Sequence, residues 1–275
     1  MTLATLKDVL TPAKRDGYAV AGLVVLGWED ARAYVAAANA EDVPAILQAG
    51  PGCRAHTPLP VLAAMFRHLA ETATVPVVAH LDHARSVEEC EEAIRCGFSS
   101  VMFDGSQLAL DKNIEETAKV TRLAHRSGVS VEGEIGFVGY DGGASSHGTD
   151  PEEARLFADG TGIDAMAISI GNVHLRRARS AKLDFGLLRR IENLTDVPLV
   201  LHGGSGIPHA QRRMLALDSK VCKFNVGTEL RQVFGASLRA ELANNIGEFD
   251  RIRLLAAIEP SLCEAARAII RTFSR

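Results

Sequence analysis

Three histidines of this chain have the setting that metal chemistry needs. They are His83 in His80-Leu81-Asp82-His83, His174 in Gly171-Asn172-Val173-His174, and His202 in His202-Gly203-Gly204-Ser205-Gly206. Three imidazoles with a position left open for water or substrate are a common catalytic zinc arrangement. Carboxylates accompany them: Asp82, Asp104 in Phe103-Asp104-Gly105-Ser106, and Glu132 and Glu134 two residues apart. A carboxylate beside a metal can serve as general acid or base. A second constellation is rich in glycine. Gly203, Gly204 and Ser205 form one part, and Asn225, Gly227 and Thr228 form the other. Glycine lets backbone N–H groups approach an anion, and a helix N-terminus adds partial positive charge, so these segments suit a phosphate. His80 shares the strand face of Asp82 and reads as a buried, hydrogen-bonded support, as does Glu132. His56, His68, His125 and His209 fall in predicted loops or helices and read as surface residues. The run Arg176-Arg177-Ala178-Arg179 reads as a solvated loop close to His174.

These groups can work together only if the elements carrying them end at one place. Eight strands are predicted at 18–26, 43–49, 75–81, 99–103, 129–135, 164–170, 197–201 and 221–226. Most are continuous apolar runs, as expected of parallel strands covered on both faces. Helices are predicted between them at 28–40, 59–73, 184–193, 209–217, 229–244 and 260–273. Ser86 before Val87-Glu88-Glu89 is a helix N-cap, Pro151 after Asp150 marks a helix start, and Gly97 and Gly128 mark helix ends. Eight alternations predict an α/β TIM (β/α)8 barrel forming a single domain over residues 1–275. A doubly wound sheet is the alternative, but no Gly-x-Gly-x-x-Gly follows the first strand. A barrel carries its active site at the C-terminal strand ends. The polar residues above stand at that end of the third to eighth strands.

Composition narrows the class. The 275 residues are 47% hydrophobic and 23% charged, with a net charge of −4. No basic stripe points to nucleic acid. The longest apolar run, 18–26, is far too short to span a bilayer, so no membrane partner is expected. The N-terminus has no continuous apolar stretch of the signal-peptide kind. Five cysteines without a C-x-x-C fit free thiols in a reducing compartment, so a cytoplasmic location is expected.

The segments Val75-Pro-Val-Val-Ala-His-Leu-Asp-His-Ala84, Ser100-Val-Met-Phe-Asp-Gly-Ser106 and Val129-Ser-Val-Glu-Gly-Glu-Ile-Gly136 carry a resemblance. So do Val197-Pro-Leu-Val-Leu-His-Gly-Gly-Ser-Gly206 and Lys223-Phe-Asn-Val-Gly-Thr-Glu-Leu230. In order and spacing the chain resembles the class II, metal-dependent ketose-bisphosphate aldolases of the fructose- and tagatose-bisphosphate type. The resemblance covers nearly the whole chain and is densest over 75–235. It implies a zinc-dependent, reversible aldol cleavage through a metal-stabilised enediolate, giving dihydroxyacetone phosphate and an aldehyde. It assigns His83, His174 and His202 as zinc ligands. Glu134 and Asp104 would lie near the metal, as an alternative ligand or a second cation site, divalent or monovalent. Asp82 would act on the hydroxyl at the cleaved bond. Gly203, Gly204, Ser205, Asn225, Gly227 and Thr228 would hold the phosphate of a small sugar phosphate. A homodimer or homotetramer is expected on the same ground. Asp250-Arg251 resembles an Asp-Pro-Arg segment whose arginine binds the distal phosphate in relatives, without the proline.

The chain departs from that pattern in three places. Relatives usually have glycine after the second zinc histidine, where Leu175-Arg176-Arg177 follows here. Their loop after the fifth strand carries a Glu-Asp pair that handles the proton of the enediolate carbon. Here it reads Gly139-Tyr-Asp-Gly-Gly-Ala-Ser-Ser-His147, leaving Asp141 or His147 as substitutes. Their Ala-Phe-Asn after the first glycine region is here Ala21-Gly22-Leu23. Two other readings follow. One is a divergent metal-dependent lyase for another sugar phosphate or a sugar acid, its carboxylate held by Arg176 or Arg177. The other is a non-catalytic metabolite-binding paralogue, against which the presence of Asp82 argues.

Overall fold

A computed structural model describes residues 2–274. A two-residue strand β1 (Leu3–Ala4) and helix α1 (Leu6–Asp16) lead into eight barrel strands. These are β2 (Val20–Val24), β3 (Ala45–Ala49), β4 (Val77–Ala84), β5 (Ser100–Phe103), β6 (Ser130–Ile135), β7 (Ala165–Ile168), β8 (Leu199–Leu201) and β9 (Val221–Val226). Each barrel strand pairs in parallel with its sequence neighbours, and β9 pairs with β2, so the sheet closes. This is the TIM barrel expected from the alternation. Its helices are α2 (Trp28–Glu41), α3 (Pro51–His56), α4 (Leu59–Thr72), α5 (Val87–Cys96), α6 (Leu110–Arg126), α7 (Pro151–Thr161), α8 (Phe185–Leu194), α9 (His209–Asp218), α10 (Thr228–Asn244) and α11 (Arg251–Phe273).

Helix α1 was not among the predicted elements, and it has a structural task. Its Thr5 cap and Asp8 form a reciprocal capping box. Leu6, Val9, Leu10 and Ala13 recur at helical spacing and pack on Val20, Ile46, Val78, Met102, Val200 and Cys222. The helix therefore plugs the N-terminal mouth of the barrel. Pro12, inside it, obscures the periodic signal. Helix α11 begins at Arg251 rather than at 260. Pro260 removes one backbone donor, but Ile258, Leu262, Ala266, Ile269 and Phe273 stay buried on one face and carry the helix through.

The barrel interior changes character along its axis. Above the apolar floor lie Gln48, His80, Glu132 and Lys223, all fully buried. Strand side chains alternate, so two residues further on the same inward face come Asp82, Glu134 and Asn225. Gly22 is required by this layer. A Cβ there would stand 1.7 Å from Oε1 of Gln48 and 2.9 Å from Oδ1 of Asn225.

Candidate active site

Strand β4 runs on through Asp82 and His83 to Ala84, beyond the predicted end at residue 81. Its pairing with β5 shifts between Leu81 and Ala84, and His83 adopts a left-handed backbone with φ 55°. Such a conformation is costly for a non-glycine residue and persists only where surroundings enforce it. The enforcement comes from Arg54 on α3, a helix the sequence reading missed. Its guanidinium donates to the carbonyls of Ala49 at 2.7 Å, Asp82 at 2.5 Å and His83 at 3.2 Å, and pairs with Glu89 at 2.8 Å.

His174 lies on no strand. The hairpin-like segment after β6 holds it by its backbone: His174 N–H donates to the Gly139 carbonyl at 2.8 Å, and Asp141 N–H donates to the His174 carbonyl at 2.9 Å. Gly139 is needed there, because a Cβ would stand 2.1 Å from the Ala144 carbonyl oxygen. Tyr140 stacks its ring on His174 at 5.0 Å. His202 follows β8, and Asn172 donates to its carbonyl at 3.1 Å. Gly203 next to it has φ 65° and lies so close to Val173 that a Cβ would meet its carbonyl oxygen at 2.2 Å.

These three histidines from separate elements converge. Ring centroids are 4.6 Å apart for His83 and His202, 5.1 Å for His83 and His174, and 5.5 Å for His174 and His202. Their ligand atoms meet the spacing of a metal site, as do those of His83, Asp104 and Glu134. The hydrogen bonding fits a cation. His83 Nδ1 is engaged by Asp104 at 2.9 Å, and its Nε2 is buried with no partner. His202 Nε2 is engaged by Glu132 at 3.0 Å, and its Nδ1 is buried with no partner. Glu134 Oε2 is likewise unpartnered. Buried polar atoms are rarely left so, and carboxylates on the far nitrogens are the usual outer support of metal-ligating imidazoles.

The electrostatics agree. Burial first, then the neighbouring His83 cation, holds His174 and His202 well below the usual histidine range, in the neutral form that binds metals. Burial also opposes protonation of His83, but Asp82, Asp104 and Glu134 together outweigh it and push it up to about 9. Burial and the like charge of Asp104 raise Glu134 to about 8. Burial works against the Asp104 carboxylate too, yet the hydrogen bond and charge of His83 hold it below the ordinary carboxylate range.

His80 and Glu132 occupy the layer beneath. His80 bonds to Ser100 at 2.8 Å and to Lys223 at 3.2 Å. Lys223 pairs with Glu132 at 2.6 Å. A lysine inside a strand motif gave no separate sequence signal, so its support role emerges only here.

A cavity of about 310 Å³ opens above the histidines. Asp82 lines it, its carboxylate accepting from Asn225 at 3.3 Å. Gly203, Ser205, Asn225, Gly227 and Thr228 line it as well, whereas Gly204 is packed below, near the Asn225 carbonyl. The Ser205 hydroxyl accepts from the N–H groups of Gly227 and Glu229, each at 3.3 Å, tying the two glycine-rich loops together. Arg212, fully buried, reinforces that tie by bonding the Ile207 carbonyl at 2.8 Å and Glu229 at 2.6 Å. The loop residue that lines this cavity is Tyr140, not Asp141 or His147. Asp141 borders an outer cavity, and His147 is exposed, pairing its backbone with Phe137. Leu175 takes φ 57°, the left-handed conformation that glycine adopts freely. Arg251 lies away from this cavity, in an apolar groove with Phe249 and Leu254.

Comparison with known proteins identifies the family. The family model described as fructose-bisphosphate aldolase class-II matches residues 4–275. A fructose-bisphosphate aldolase of Geobacillus stearothermophilus is 37% identical over 263 residues, covering 93% of this chain and 91% of that protein. One from Staphylococcus epidermidis is 35% identical over 282 residues, covering 99% and 98%. The crystal structure of the YdjI aldolase from Escherichia coli K12 superposes with a TM-score of 0.86 at 32% identity, covering 99% of this chain and 97% of that one. The chain therefore belongs to the class II fructose-bisphosphate aldolase family and is an aldolase, an enzyme that cleaves carbon–carbon bonds.

Proposed function

We propose that the enzyme is zinc-dependent and reversibly cleaves a phosphorylated ketose of the fructose- or tagatose-bisphosphate kind to dihydroxyacetone phosphate and an aldehyde. The observation that carries this reading is the pair of buried, unpartnered nitrogens, His83 Nε2 and His202 Nδ1, beside His174 and below Asp82. His83, His174 and His202 would hold the zinc. His83, Asp104 and Glu134 would offer a second cation position, divalent or monovalent. Held by the three histidines, the zinc would supply Lewis-acid stabilisation of the negative charge that develops on the ketose oxygens as the bond breaks.

The chain's own residues supply the rest. Asp82 takes the proton of the hydroxyl at the cleaved bond and returns it in the reverse direction. Gly203, Ser205, Gly227 and Thr228 hold the phosphate from the strand-end loops, with Gly204 giving the close backbone packing beneath, and so fix the reacting carbons against Asp82. Asn225 orients the Asp82 carboxylate. Tyr140 covers the pocket from the β6 side. Its hydroxyl is held neutral, above its usual range, mainly by burial. The reading extends to a cytoplasmic enzyme acting on small molecules and assembled as a homodimer or homotetramer. Among the described residues no helix is long and apolar enough to cross a membrane, all five cysteines are free, and Ile246, Phe249 and Ile252 are strongly exposed apolar residues suited to an interface.

Elemental analysis of untagged protein should find zinc that His83→Ala removes. Asp82→Asn should keep the zinc and lose about 100-fold or more in the rate of triose-phosphate release from ketose bisphosphates. Equal cleavage rates for native protein and Asp82→Asn would refute the assignment.

A further inference from the structure

Glu229, on the first turn of α10, stands beside loops suited to a phosphate, and its own charge alone would repel that anion. Two arginines from other segments reverse the sign. Arg212 on α9, fully buried, donates to one Glu229 oxygen at 2.6 Å. Arg179, on the loop after His174, donates to the other at 2.8 Å. Two guanidiniums against one carboxylate leave the cluster with a net positive charge. That charge is felt nearby: His209 is held below the usual histidine range, first by burial and then by Arg179 and Arg212. Among the described residues lining the cavity above the histidines, none belongs to this trio.

The cluster joins three segments that the site needs in register. Arg212 also donates to the Ile207 carbonyl at 2.8 Å, where the glycine turn at 203–206 ends. Glu229 gives its backbone N–H to the Ser205 hydroxyl at 3.3 Å, so the placement of its side chain is passed on to that turn. The Ser205 oxygen accepts two backbone N–H groups, and what remains to it as a donor is its proton, in a residue that lines the cavity. The segment after His174 lies directly on the same turn. A Cβ at Gly206 would stand 3.0 Å from Cβ of Arg176, and Ala181 N–H donates to the Gly206 carbonyl at 2.9 Å. Arg179 sits between these two contacts in sequence and carries the segment across to Glu229.

We propose that Arg179, Glu229 and Arg212 are positioning residues for the phosphate of the dihydroxyacetone phosphate half: through the shared Glu229 carboxylate they hold the His174 segment, the 203–206 turn and the start of α10 as one unit. The proposal rests on the aldolase reading above, which supplies the phosphate. None of the three touches substrate. They act through Ser205 and Gly227, and the excess guanidinium charge behind those loops favours an anion in front of them.

The test runs zinc-loaded enzyme in the condensation direction, with dihydroxyacetone phosphate and glyceraldehyde 3-phosphate varied separately. Arg179 is half-exposed, so Arg179→Met leaves the core intact. It should raise the KM for dihydroxyacetone phosphate about fivefold, as loss of one partly exposed ion pair allows, and leave the KM for the aldehyde within about twofold. Arg179→Lys, which still reaches Glu229 with a charge, should recover part of that rise. Glu229→Gln alone would strand Arg212 in the core and endanger folding. The double variant Arg212→Met with Glu229→Gln removes both buried charges together and avoids this. Its KM for dihydroxyacetone phosphate should rise about tenfold or more, since charge-assisted bonds are lost on both sides of the turn. An unchanged KM for dihydroxyacetone phosphate in Arg179→Met and in the double variant, or equal rises for both substrates, overturns the proposal. If native enzyme forms no ketose, the aldolase reading fails separately, and calorimetric titration with inorganic phosphate decides the positioning role. Phosphate affinity weakened about fivefold by Arg179→Met and partly restored by Arg179→Lys supports it. Unchanged affinity, or no phosphate binding to native enzyme, overturns it.

Discussion

Lys223 Nζ stands 2.6 Å from Glu132 Oε2, with both side chains fully buried in the middle of the barrel. The other oxygen of Glu132 lies 3.0 Å from His202 Nε2. The Lys223 side chain thus orients a carboxylate that in turn engages His202, one of the three converging imidazoles.

That chain of contacts predicts the effect of breaking it. Removing one partner of a buried ion pair leaves an uncompensated charge and costs about 3–5 kcal/mol. Lys223→Met should lower the unfolding free energy by that order. Glu132→Gln, which keeps the shape, should weaken zinc binding by about 10- to 100-fold, as outer-shell substitutions do. Chemical denaturation and competition with a zinc chelator measure the two effects. Undiminished zinc affinity in Glu132→Gln would detach Glu132 from the metal site.

Arg54 holds the strained end of β4. Arg54→Met deletes charge-assisted bonds to the carbonyls of Asp82 and His83, and a loss of about 2–3 kcal/mol in stability is expected. Because Asp82 and His83 would relax from the kinked position, kcat should fall about tenfold or more. Arg54→Lys should recover only part, since an ammonium lacks the fork that spans several carbonyls. A stability loss with unchanged kcat would assign Arg54 to the fold alone.

Leu175 carries left-handed backbone strain of about 1–2 kcal/mol. Leu175→Gly relieves it but gives the unfolded chain more freedom, at about 0.5–1 kcal/mol. The net change in stability should lie within about 1 kcal/mol. Leu175 borders both the cavity above the histidines and the outer cavity, so removing its side chain should raise kcat/KM for long substrates relative to short ones. Destabilisation beyond about 2 kcal/mol in thermal unfolding would mean that Leu175 anchors the loop.

The buried titratable groups fix the pH response of the metal-free protein. The unfolded chain protonates its histidines as pH falls through 6.5, while the fold, chiefly by burial, keeps His80, His174 and His202 neutral. Each of the three withdraws stability as pH falls. Glu134 acts oppositely, because the fold keeps its proton up to about 8. The net difference is about two protons, so stability should drop by up to about 2.7 kcal/mol per pH unit below 6. Above 6.5 the fold retains the protons of His83, up to about 9, and of Glu134, so stability declines again as pH rises. A maximum in Tm near pH 6.5 is expected. Zinc, which binds deprotonated ligands, should move that maximum upward and flatten the alkaline decline. A Tm profile unmoved by zinc between pH 5 and 9 would contradict this.

The sequence by itself determined the barrel and the residues gathered at its rim. Eight apolar strand runs have few ways to bury both faces, and every parallel strand of a barrel delivers its C-terminal residues to the same end. Asp82, His83, Asp104, Glu134, His202 and Asn225 were legible because strand-end placement follows from local pattern alone. Only the tertiary structure decided what holds them. Arg54 acts on carbonyls 28 and 29 residues away, and Lys223 meets Glu132 across 91 residues. Neither contact leaves a periodic trace in the chain. Helix α1 was not read from the sequence; its Thr5–Asp8 capping box and its role as a plug emerged only with the strands that surround it. The contacts of the 139–147 segment also required the fold. Three-dimensional closure, not residue type, brought Tyr140 rather than Asp141 or His147 to the cavity above the histidines.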